Sequence, residues 1–383
     1  MTSSRSAMAR TRATRSARRP ARSPDAPGGR PERAARRVRT LFFGSGSFAV
    51  AALDSLVDHP PVELVGVVSV PDRPSGRQGV PTSVPVAARA RALGVPLLQP
   101  ASIRAPEAVE AIRALAPELG VLADYGRIVP PGILAIHPLG ILNLHPSLLP
   151  RHRGAAPIAG TILAGDDVAG VTIIRMDEGL DTGPIVAAVS WPLSGTENAA
   201  DLESRAAAEA ATLLRLSLPG WLDGSLGAHP QPEVGATLTR PLRRADGRLD
   251  PVRPAARLER QVRAFQPWPG SFLETVAGRV VVWRASVIPA ELRGGASEPR
   301  AARPGSIVVE AGQPALSTSA GLLVLEEVQP AGGRRMTGAE LLRGRPALTG
   351  SRVMESQADD ALAPTREAPD ATGEAPDPAG TVR

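Results

Sequence analysis

A chain of 383 residues is too long for one ordinary domain and suits two domains with additional tails. It contains no cysteine, which excludes disulfides, thiolate metal ligands and a cysteine nucleophile, and no apolar run approaches the ~20 residues of a membrane-spanning helix. All 44 basic residues are arginine, against 38 acidic ones, but the excess lies near the amino end, so the charge balance does not by itself indicate nucleic-acid binding.

Both ends of the chain have the composition of disordered tails. Residues 1–38 are rich in Arg, Ser, Ala and Pro with almost no large apolar side chains, so they cannot bury enough surface to offset the entropy of ordering. A solvated tail or an over-called start codon accounts for this segment, with an organelle-targeting segment or a nonspecific RNA-binding arm as alternatives. Residues 353–383, rich in Ala, Pro, Asp and Glu, are predicted to form a second disordered tail.

Residues 39–219 alternate between apolar runs and segments of helical spacing. Such alternation predicts a Rossmann-like α/β domain with an open, mostly parallel sheet covered on both faces. The predicted strands are 38–43, 62–70, 96–98, 119–123, 140–145 and 171–175, and the predicted helices are 48–57, 84–93, 106–115, 156–163 and 198–218.

The pattern changes after a Gly- and Pro-punctuated stretch at 220–239, which is predicted to be a linker. Residues 240–352 contain short β-rich runs separated by glycines, which predicts a small β-barrel of OB-like type as a second domain. The predicted strands there are 271–276, 280–287, 306–309 and 322–328, with a helix at 255–265.

The residues best suited to chemistry begin with two in the strand predicted at 140–145. Asn143 and His145 are two apart, so a strand places both side chains on one face, and Pro146 ends the strand where open α/β sheets bind ligands. A second candidate, Asp181, lies between glycines that allow tight turns. An amide, an imidazole and a carboxylate suit acyl transfer without a covalent enzyme intermediate: Asn143 and protonated His145 would hold the developing oxyanion, and Asp181 would keep His145 charged.

These motifs resemble the formyltransferase family that uses 10-formyltetrahydrofolate. The resemblance rests on Asn143-Leu-His145, Ser147-Leu-Leu-Pro150, Arg153-Gly-Ala-Ala-Pro157 and Met176-Asp-Glu-Gly-Leu-Asp181-Thr-Gly183. It implies that Asn143, His145 and Asp181 form the catalytic set, with Asp177 as the alternative carboxylate. It also implies that the folate site is bordered by Ser147, Leu148, Leu149 and Pro150 and by a pterin-pocket segment containing Tyr125, Gly126 and Arg127.

The carboxyl-terminal half narrows the resemblance to methionyl-tRNA formyltransferases. Residues 245–250, 261–270 and 342–345 are similar to the second domain of those enzymes. The resemblance implies a cytoplasmic, metal-free, monomeric enzyme, not associated with a membrane, that transfers a formyl group to the α-amino group of methionyl initiator tRNA. Arg73 and Arg77 are the residues that it assigns to tRNA contacts in the loop after the second strand.

Several alternatives remain open at this point. Within the family, a sugar-nucleotide amine formyltransferase and a formyltetrahydrofolate hydrolase-type enzyme share the catalytic set. The string Gly44-Ser-Gly46-Ser-Phe-Ala49 fits a dinucleotide fingerprint, which would indicate an NAD-dependent oxidoreductase, although no acidic residue ends the second strand. A binding protein that has lost activity is a third class. The other histidines, His59, His137, His152 and His229, are expected to be structural.

Overall fold

The computed structural model describes residues 36–75, 80–293 and 303–354, and the side chains in these ranges except those of residues 73–75, 80–81 and 292–293. The two predicted tails therefore lie almost wholly outside the described residues. The predicted inner end of the first tail, residue 38, already belongs to the first strand, because Val38 pairs with Val62 and donates its N–H to the carbonyl of Pro61 at 2.7 Å. The described residues from Arg37 onward belong to one compact unit.

The described residues contain seventeen strands and eight α-helices. The strands are β1 (Val38–Gly44), β2 (Val62–Val68), β3 (Arg73–Ser75), β4 (Val80–Thr82), β5 (Leu97–Leu98), β6 (Leu119–Ala123), β7 (Ile141–His145), β8 (Arg153–Gly154), β9 (Val168–Arg175), β10 (Ile185–Pro192), β11 (Leu238–Thr239), β12 (Ser271–Thr275), β13 (Gly278–Ile288), β14 (Ile307–Glu310), β15 (Gln313–Ser317), β16 (Leu322–Pro330) and β17 (Met336–Thr337). The helices are α1 (Phe48–Val57), α2 (Pro85–Leu93), α3 (Pro106–Ala114), α4 (Pro131–Leu134), α5 (Pro157–Ala164), α6 (Ala199–Asp223), α7 (Ala255–Ala264) and α8 (Gly338–Gly344).

The first domain is built on a seven-stranded sheet in the order β10-β9-β7-β6-β1-β2-β5. The five strands from β7 to β5 are parallel, and β9 and β10 extend the sheet in antiparallel pairs. Side chains alternate between the two faces of β1: Phe42 packs in the cluster formed with α1 and α6, whereas Leu41 and Phe43 pack with α3 and α4. The predicted, mostly parallel sheet covered on both faces is thus confirmed.

The long helix α6 extends beyond its predicted end at residue 218. Its buried face repeats every four residues, with Leu202, Ala206, Ala210, Leu214 and Leu218 all at most 1% exposed. A proline inside a helix costs roughly 3 kcal/mol, but each fully buried leucine contributes about 1.5–3 kcal/mol. The helix therefore continues through Pro219 to Asp223 and occupies the first four residues of the predicted linker.

Some elements were absent from the sequence prediction. The loop that the sequence predicts after the second strand contains the short hairpin β3–β4. Strand β10 and strand β15 were also missed, as were the helices α4 and α8. None of the helices among the described residues is long and apolar enough to cross a membrane.

The second domain is an antiparallel sheet in the order β12-β13-β16-β15-β14, with β17 paired to β16. The sheet curls into a half-barrel around its own apolar core, to which α7 contributes Leu258 and Val262. The segment after Gly350 bridges the two edges, since Val353 donates to the carbonyl of Gly305 and Met354 donates to that of Glu274, both at 2.8 Å. The predicted small barrel-like second domain is confirmed in this form.

The two domains are joined through α5 and α7. Arg257 and Arg260 of α7 donate to the carbonyls of Leu163 and Ala164, which are the last residues of α5. These carbonyls have no partner within their own helix and carry the negative end of its dipole, so guanidinium groups are suited to bind there. This contact fixes the second domain beside the carboxyl edge of the parallel sheet.

Candidate active site

A cleft of about 680 Å³ opens where the carboxyl ends of β6 and β7 face the second domain. This size suits a small organic substrate. From the first domain its walls include Phe48, Asp124, Tyr125, Asn143, His145 and Asp181, and from the second part of the chain Pro241, Leu242, Ala264, Gln266, Pro267 and Trp268. The sequence-predicted triplet Asn143, His145 and Asp181 therefore lies in one cleft.

Asp181 is the centre of that triplet. Asn143 Nδ2 donates to Asp181 Oδ1 at 3.1 Å, the backbone N–H of Gly154 donates to Oδ2 at 2.8 Å, and Oδ2 lies 3.6 Å from His145 Nδ1. Asp181 itself has a left-handed backbone, with φ +54°. An amide nitrogen carries two hydrogens, so Asn143 keeps one N–H free after binding Asp181.

His145 is oriented by a backbone carbonyl. Its Nε2 lies 2.9 Å from the carbonyl oxygen of His152, and because a carbonyl only accepts, Nε2 carries a proton. The other ring nitrogen, Nδ1, is the atom beside Asp181. His152 adopts φ +59°, and its buried imidazole Nε2 lies 2.7 Å from Asp166 Oδ2. His152, expected to be structural, thus positions His145 through its backbone.

Residues 231–239, named here the strap, support the site from the predicted linker. Gln231 Nε2 donates to the carbonyls of Asp181 and Gly183, both at 2.7 Å, and its Oε1 accepts from buried Arg153. Strand β11 in the strap pairs with β8, so Gly154 packs directly against the strap, where an added Cβ would lie 2.2 Å from the carbonyl oxygen of Thr239. The predicted linker therefore forms part of the site's framework.

Gln231→Ala is expected to lower kcat by about 10–10²-fold with little change in substrate KM, because loss of the two hydrogen bonds donated by its amide lets the backbone of Asp181 move from its bonded position. Steady-state kinetics of the purified variant would measure this. Glu233→Ala is the matched control, since that side chain is 85% exposed and reaches Arg153 only at 3.8 Å. Equal kcat for Gln231→Ala and the unaltered protein would contradict a positioning role.

Comparison with known proteins shows which family this chain resembles. The Formyl transferase family matches residues 36–217, and the Formyl transferase C-terminal domain family matches residues 241–346. The methionyl-tRNA formyltransferase of Chloroflexus aggregans is 43% identical over 309 residues, covering 80% of this chain and 97% of that protein. That of Myxococcus xanthus is 41% identical over 318 residues, covering 82% and 97%.

The chain belongs to the methionyl-tRNA formyltransferase family. It is an enzyme that transfers formyl groups, and the formyl-tetrahydrofolate donor follows from that membership. Among solved structures, the N-formyltransferase of Helicobacter canadensis, in complex with folinic acid and dTDP-3-aminofucose, matches with a TM-score of 0.55 at 15% identity, covering 75% of this chain and 99% of that one. At this identity the match shows a shared fold.

The residues that the family resemblance assigns to folate fall into two groups. Tyr125 and Gly126 line the cleft, and the buried Tyr125 ring packs edge-on against Phe43 with centroids 5.9 Å apart. Arg127 does not line the cleft and instead donates to the carbonyl of Ala101.

The loop from Ser147 to Pro150 does not line the cleft either. Ser147 Oγ donates to the carbonyl of Arg151 at 2.7 Å, and Leu149 donates its N–H to Thr172 Oγ1 at 3.2 Å. Leu148 packs on Gly170, where an added Cβ would lie 2.3 Å from Leu148 Cδ2. Contact of these four residues with folate stays a prediction.

The alternative carboxylate, Asp177, has a different role from Asp181. It is exposed, and it accepts from Thr182 Oγ1 at 2.8 Å and from the N–H of Gly179 at 3.0 Å, which holds the turn before Asp181. His59, His137 and His229 do not line the cleft. For tRNA contacts, Arg77 and the side chain of Arg73 lie outside the described residues.

The glycine-rich turn after β1 does not form a free phosphate site. An added Cβ on Gly46 would lie 1.7 Å from Asp124 Oδ2, so the carboxylate of Asp124 occupies the space over this glycine. A carboxylate there would repel a pyrophosphate at the start of α1. The glycines that fit a dinucleotide fingerprint thus make room for an acidic side chain.

Proposed function

We propose that this enzyme transfers the formyl group of 10-formyltetrahydrofolate to the α-amino group of methionyl initiator tRNA. The observation that carries the proposal is the cluster of Asn143, His145 and Asp181 in a cleft walled by both domains. The relatives that carry this activity in their name match over both domains and at about 40% identity.

The reaction needs a neutral amine to attack the formyl carbon and a site to hold the negative charge that develops on the formyl oxygen. The free N–H of Asn143 and protonated Nδ1 of His145 are the donors available for that oxygen. Asp181 fixes Asn143 directly and supplies the negative charge that favours the imidazolium form of His145. Because these groups act by hydrogen bonding and charge, no covalent enzyme intermediate is required.

Discrimination between acceptors tests the proposal. The purified protein is expected to formylate methionyl initiator tRNA with a kcat/KM far above that for a dTDP-linked amino sugar. A dTDP-linked amino sugar is the class of molecule bound to the Helicobacter canadensis N-formyltransferase, which shares the fold at 15% identity. A preference for the amino sugar would move the sugar-nucleotide alternative ahead.

Salt dependence provides a separate test of tRNA binding. KM for methionyl initiator tRNA should rise with salt concentration, because arginine contacts to phosphates release counterions, whereas KM for the folate donor should change much less. Replacing both Arg73 and Arg77 by Ala should lower the slope of log KM against log salt by up to about 2, roughly 1 for each phosphate contact. Arg113→Ala, which removes an exposed arginine paired with Glu110, is the control. An unchanged slope in the double variant would exclude these two arginines as phosphate contacts.

We also propose that the enzyme works as a monomer in the cytoplasm without a metal ion. The support is the name of the relatives, which is that of translation enzymes, and a reaction whose donors are all side chains and backbone groups of one chain. Gel filtration with light scattering at assay concentrations would test the monomer.

A further inference from the structure

The cleft is acidic: carboxylates line it, and none of the described arginines does. Asp124, Asp181 and Glu203 line it, and the only basic group of its walls in the described part of the chain is His145. The carboxylate of Asp181 already accepts from Asn143 and Gly154 and lies beside His145. Asp124 and Glu203 are therefore the carboxylates available to a ligand, and their charge favours a cation over an anion.

The fold brings Asp124 to the reaction edge of the sheet. It directly follows β6, which pairs with β7 in the register Leu122 to Asn143, so it lies one strand away from the triplet. Its backbone is left-handed, with φ +41°, and its carboxylate lies over Gly46 at a distance that leaves no room for a side chain there. The backbone carbonyl of Asp124 accepts from the N–H groups of Ser45 and Gly46, whereas its carboxylate accepts no hydrogen bond from any described residue and forms no ion pair with one.

Glu203 approaches the same region from α6. Ser47 Oγ donates to Glu203 Oε1 at 2.5 Å, which fixes this carboxylate beside the turn that begins α1. One carboxylate without a partner and a second that is fixed nearby create a site where a positive charge would be stabilised by both. No described arginine lines the cleft to neutralise them.

We infer that Asp124 binds the α-ammonium group of the aminoacyl acceptor and removes its proton, with Glu203 as a second counter-charge. This inference rests on the proposed function, because it requires an amine acceptor to bind beside Asn143, His145 and Asp181. The amine must be neutral to attack, and it arrives largely protonated at neutral pH, since an α-amino group has a pKa of about 8. A carboxylate one strand from the oxyanion donors is placed to convert it.

Each of the three hydrogens on the ammonium nitrogen has a destination in this step. The ammonium transfers one proton to Asp124, and the amine lone pair forms a bond to the formyl carbon. The bond from that carbon to N10 of the folate then breaks, N10 takes a second proton from the attacking nitrogen, and the third hydrogen stays on the product amide. Asp124 releases its proton to solvent before the next turnover.

The ionisation of Asp124 suits this role. The Asp124 side chain is exposed to the cleft, but desolvation by the protein around it, with a further contribution from the Glu203 carboxylate, raises the pKa of Asp124 to about 6. The other charged groups of the cleft are His145, the last residue of β7, and Asp181. A proton acceptor is most effective when its pKa lies near the working pH and it is still ionised there, so kcat/KM for the acceptor should fall as pH drops through about 6.

The test is the pH dependence of kcat/KM for methionyl initiator tRNA in Asp124→Asn. We expect a loss of roughly 10²-fold at pH 7, the low end of what a proton acceptor contributes, together with a higher KM for the tRNA and an unchanged KM for the folate donor. The loss should shrink towards pH 9, where solvent has already deprotonated the amine. Asp58→Asn, which removes an exposed carboxylate away from the cleft, should behave as the unaltered protein.

A second variant displaces the carboxylate without removing it. Gly46→Ala would place a methyl group where Asp124 Oδ2 now lies, so it should show the same pH-dependent loss. Asp124→Asn should melt no lower than the unaltered protein at pH 7.5, because it removes a carboxylate that has no described partner and is repelled by the Glu203 carboxylate. At pH 4 Asp124 is already neutral, so the two should melt alike.

The outcomes separate this inference from the proposed function. If the unaltered protein formylates the tRNA and Asp124→Asn loses the same factor at every pH, or nothing, then Asp124 does not take the proton and the inference is wrong. If the unaltered protein formylates only an amino sugar nucleotide, the proposed function is wrong, and the same pH comparison with that amine still decides the role of Asp124.

Discussion

Asn143→Ala is expected to lower kcat for formyl transfer by roughly 10²–10³, the usual loss for one oxyanion donor, with the affinity for the folate donor little changed. The structure explains why the effect should fall on kcat. Asn143 is 6% exposed, Asp181 fixes its amide at 3.1 Å, and its second N–H has no other described acceptor. Its free donor is useful mainly when negative charge develops on the formyl oxygen.

Two companion variants sharpen this prediction. Asn143→Asp has nearly the same shape but places a carboxylate against that of Asp181, so it should lose at least as much. His145→Ala should also lose at least 10²-fold, since it removes the second donor. Melting temperature and folate binding would establish that each variant is folded. Near-normal turnover in Asn143→Ala or His145→Ala would contradict the proposed roles.

Asp181→Asn is expected to lower kcat by at least about 10²-fold and to change the pH dependence of the rate. Asp181 accepts from Asn143 with one oxygen and from Gly154 with the other. An asparagine has only one acceptor oxygen, so its NH₂ group must face one of these two donors. The substitution also removes the negative charge 3.6 Å from His145 Nδ1, which favours the imidazolium form.

Asp177→Asn is the matched control for this prediction. The exposed Asp177 carboxylate braces the turn before Asp181 and does not line the cleft, so its loss should cost no more than a few-fold in kcat. Rate measurements across the pH range would compare the two variants. If Asp177→Asn were inactive and Asp181→Asn active, the assignment of the carboxylate would be reversed.

The parts of the site that the sequence predicted depend on local geometry. Asn143 and His145 share a strand face because they are two residues apart, and the strand ends at Pro146. The structure places both at the carboxyl edge of the sheet as expected. Asp181 could be proposed because glycines flank it. In each case the evidence lay within a few residues of the side chain concerned.

The strap could not be predicted in the same way. Gln231 contacts the backbone of Asp181, 50 residues earlier, and Arg153, 78 residues earlier. Nothing in its own Gly- and Pro-rich neighbourhood distinguishes it from a linker residue. The extension of α6 was different: its four-residue repeat of buried side chains is visible in the sequence, but Pro219 and Gly220 indicated an end.

The turn after β1 shows why a short motif needs its surroundings. The glycines from Gly44 to Gly46 fit a dinucleotide fingerprint in the sequence. In the structure Asp124, distant along the chain, occupies the space over Gly46. The same glycine therefore serves an acidic cleft, and which of the two uses applies depends on a residue outside the motif.

Direct formyl transfer to methionyl initiator tRNA can be followed in a single-turnover experiment with a radiolabelled formyl donor. We expect the label to move from 10-formyltetrahydrofolate to the methionine α-nitrogen, with one tetrahydrofolate formed for each formylmethionyl-tRNA and no labelled protein at any time. Label trapped on the protein would contradict direct transfer. Donor consumed with no label on the tRNA would contradict the proposed acceptor.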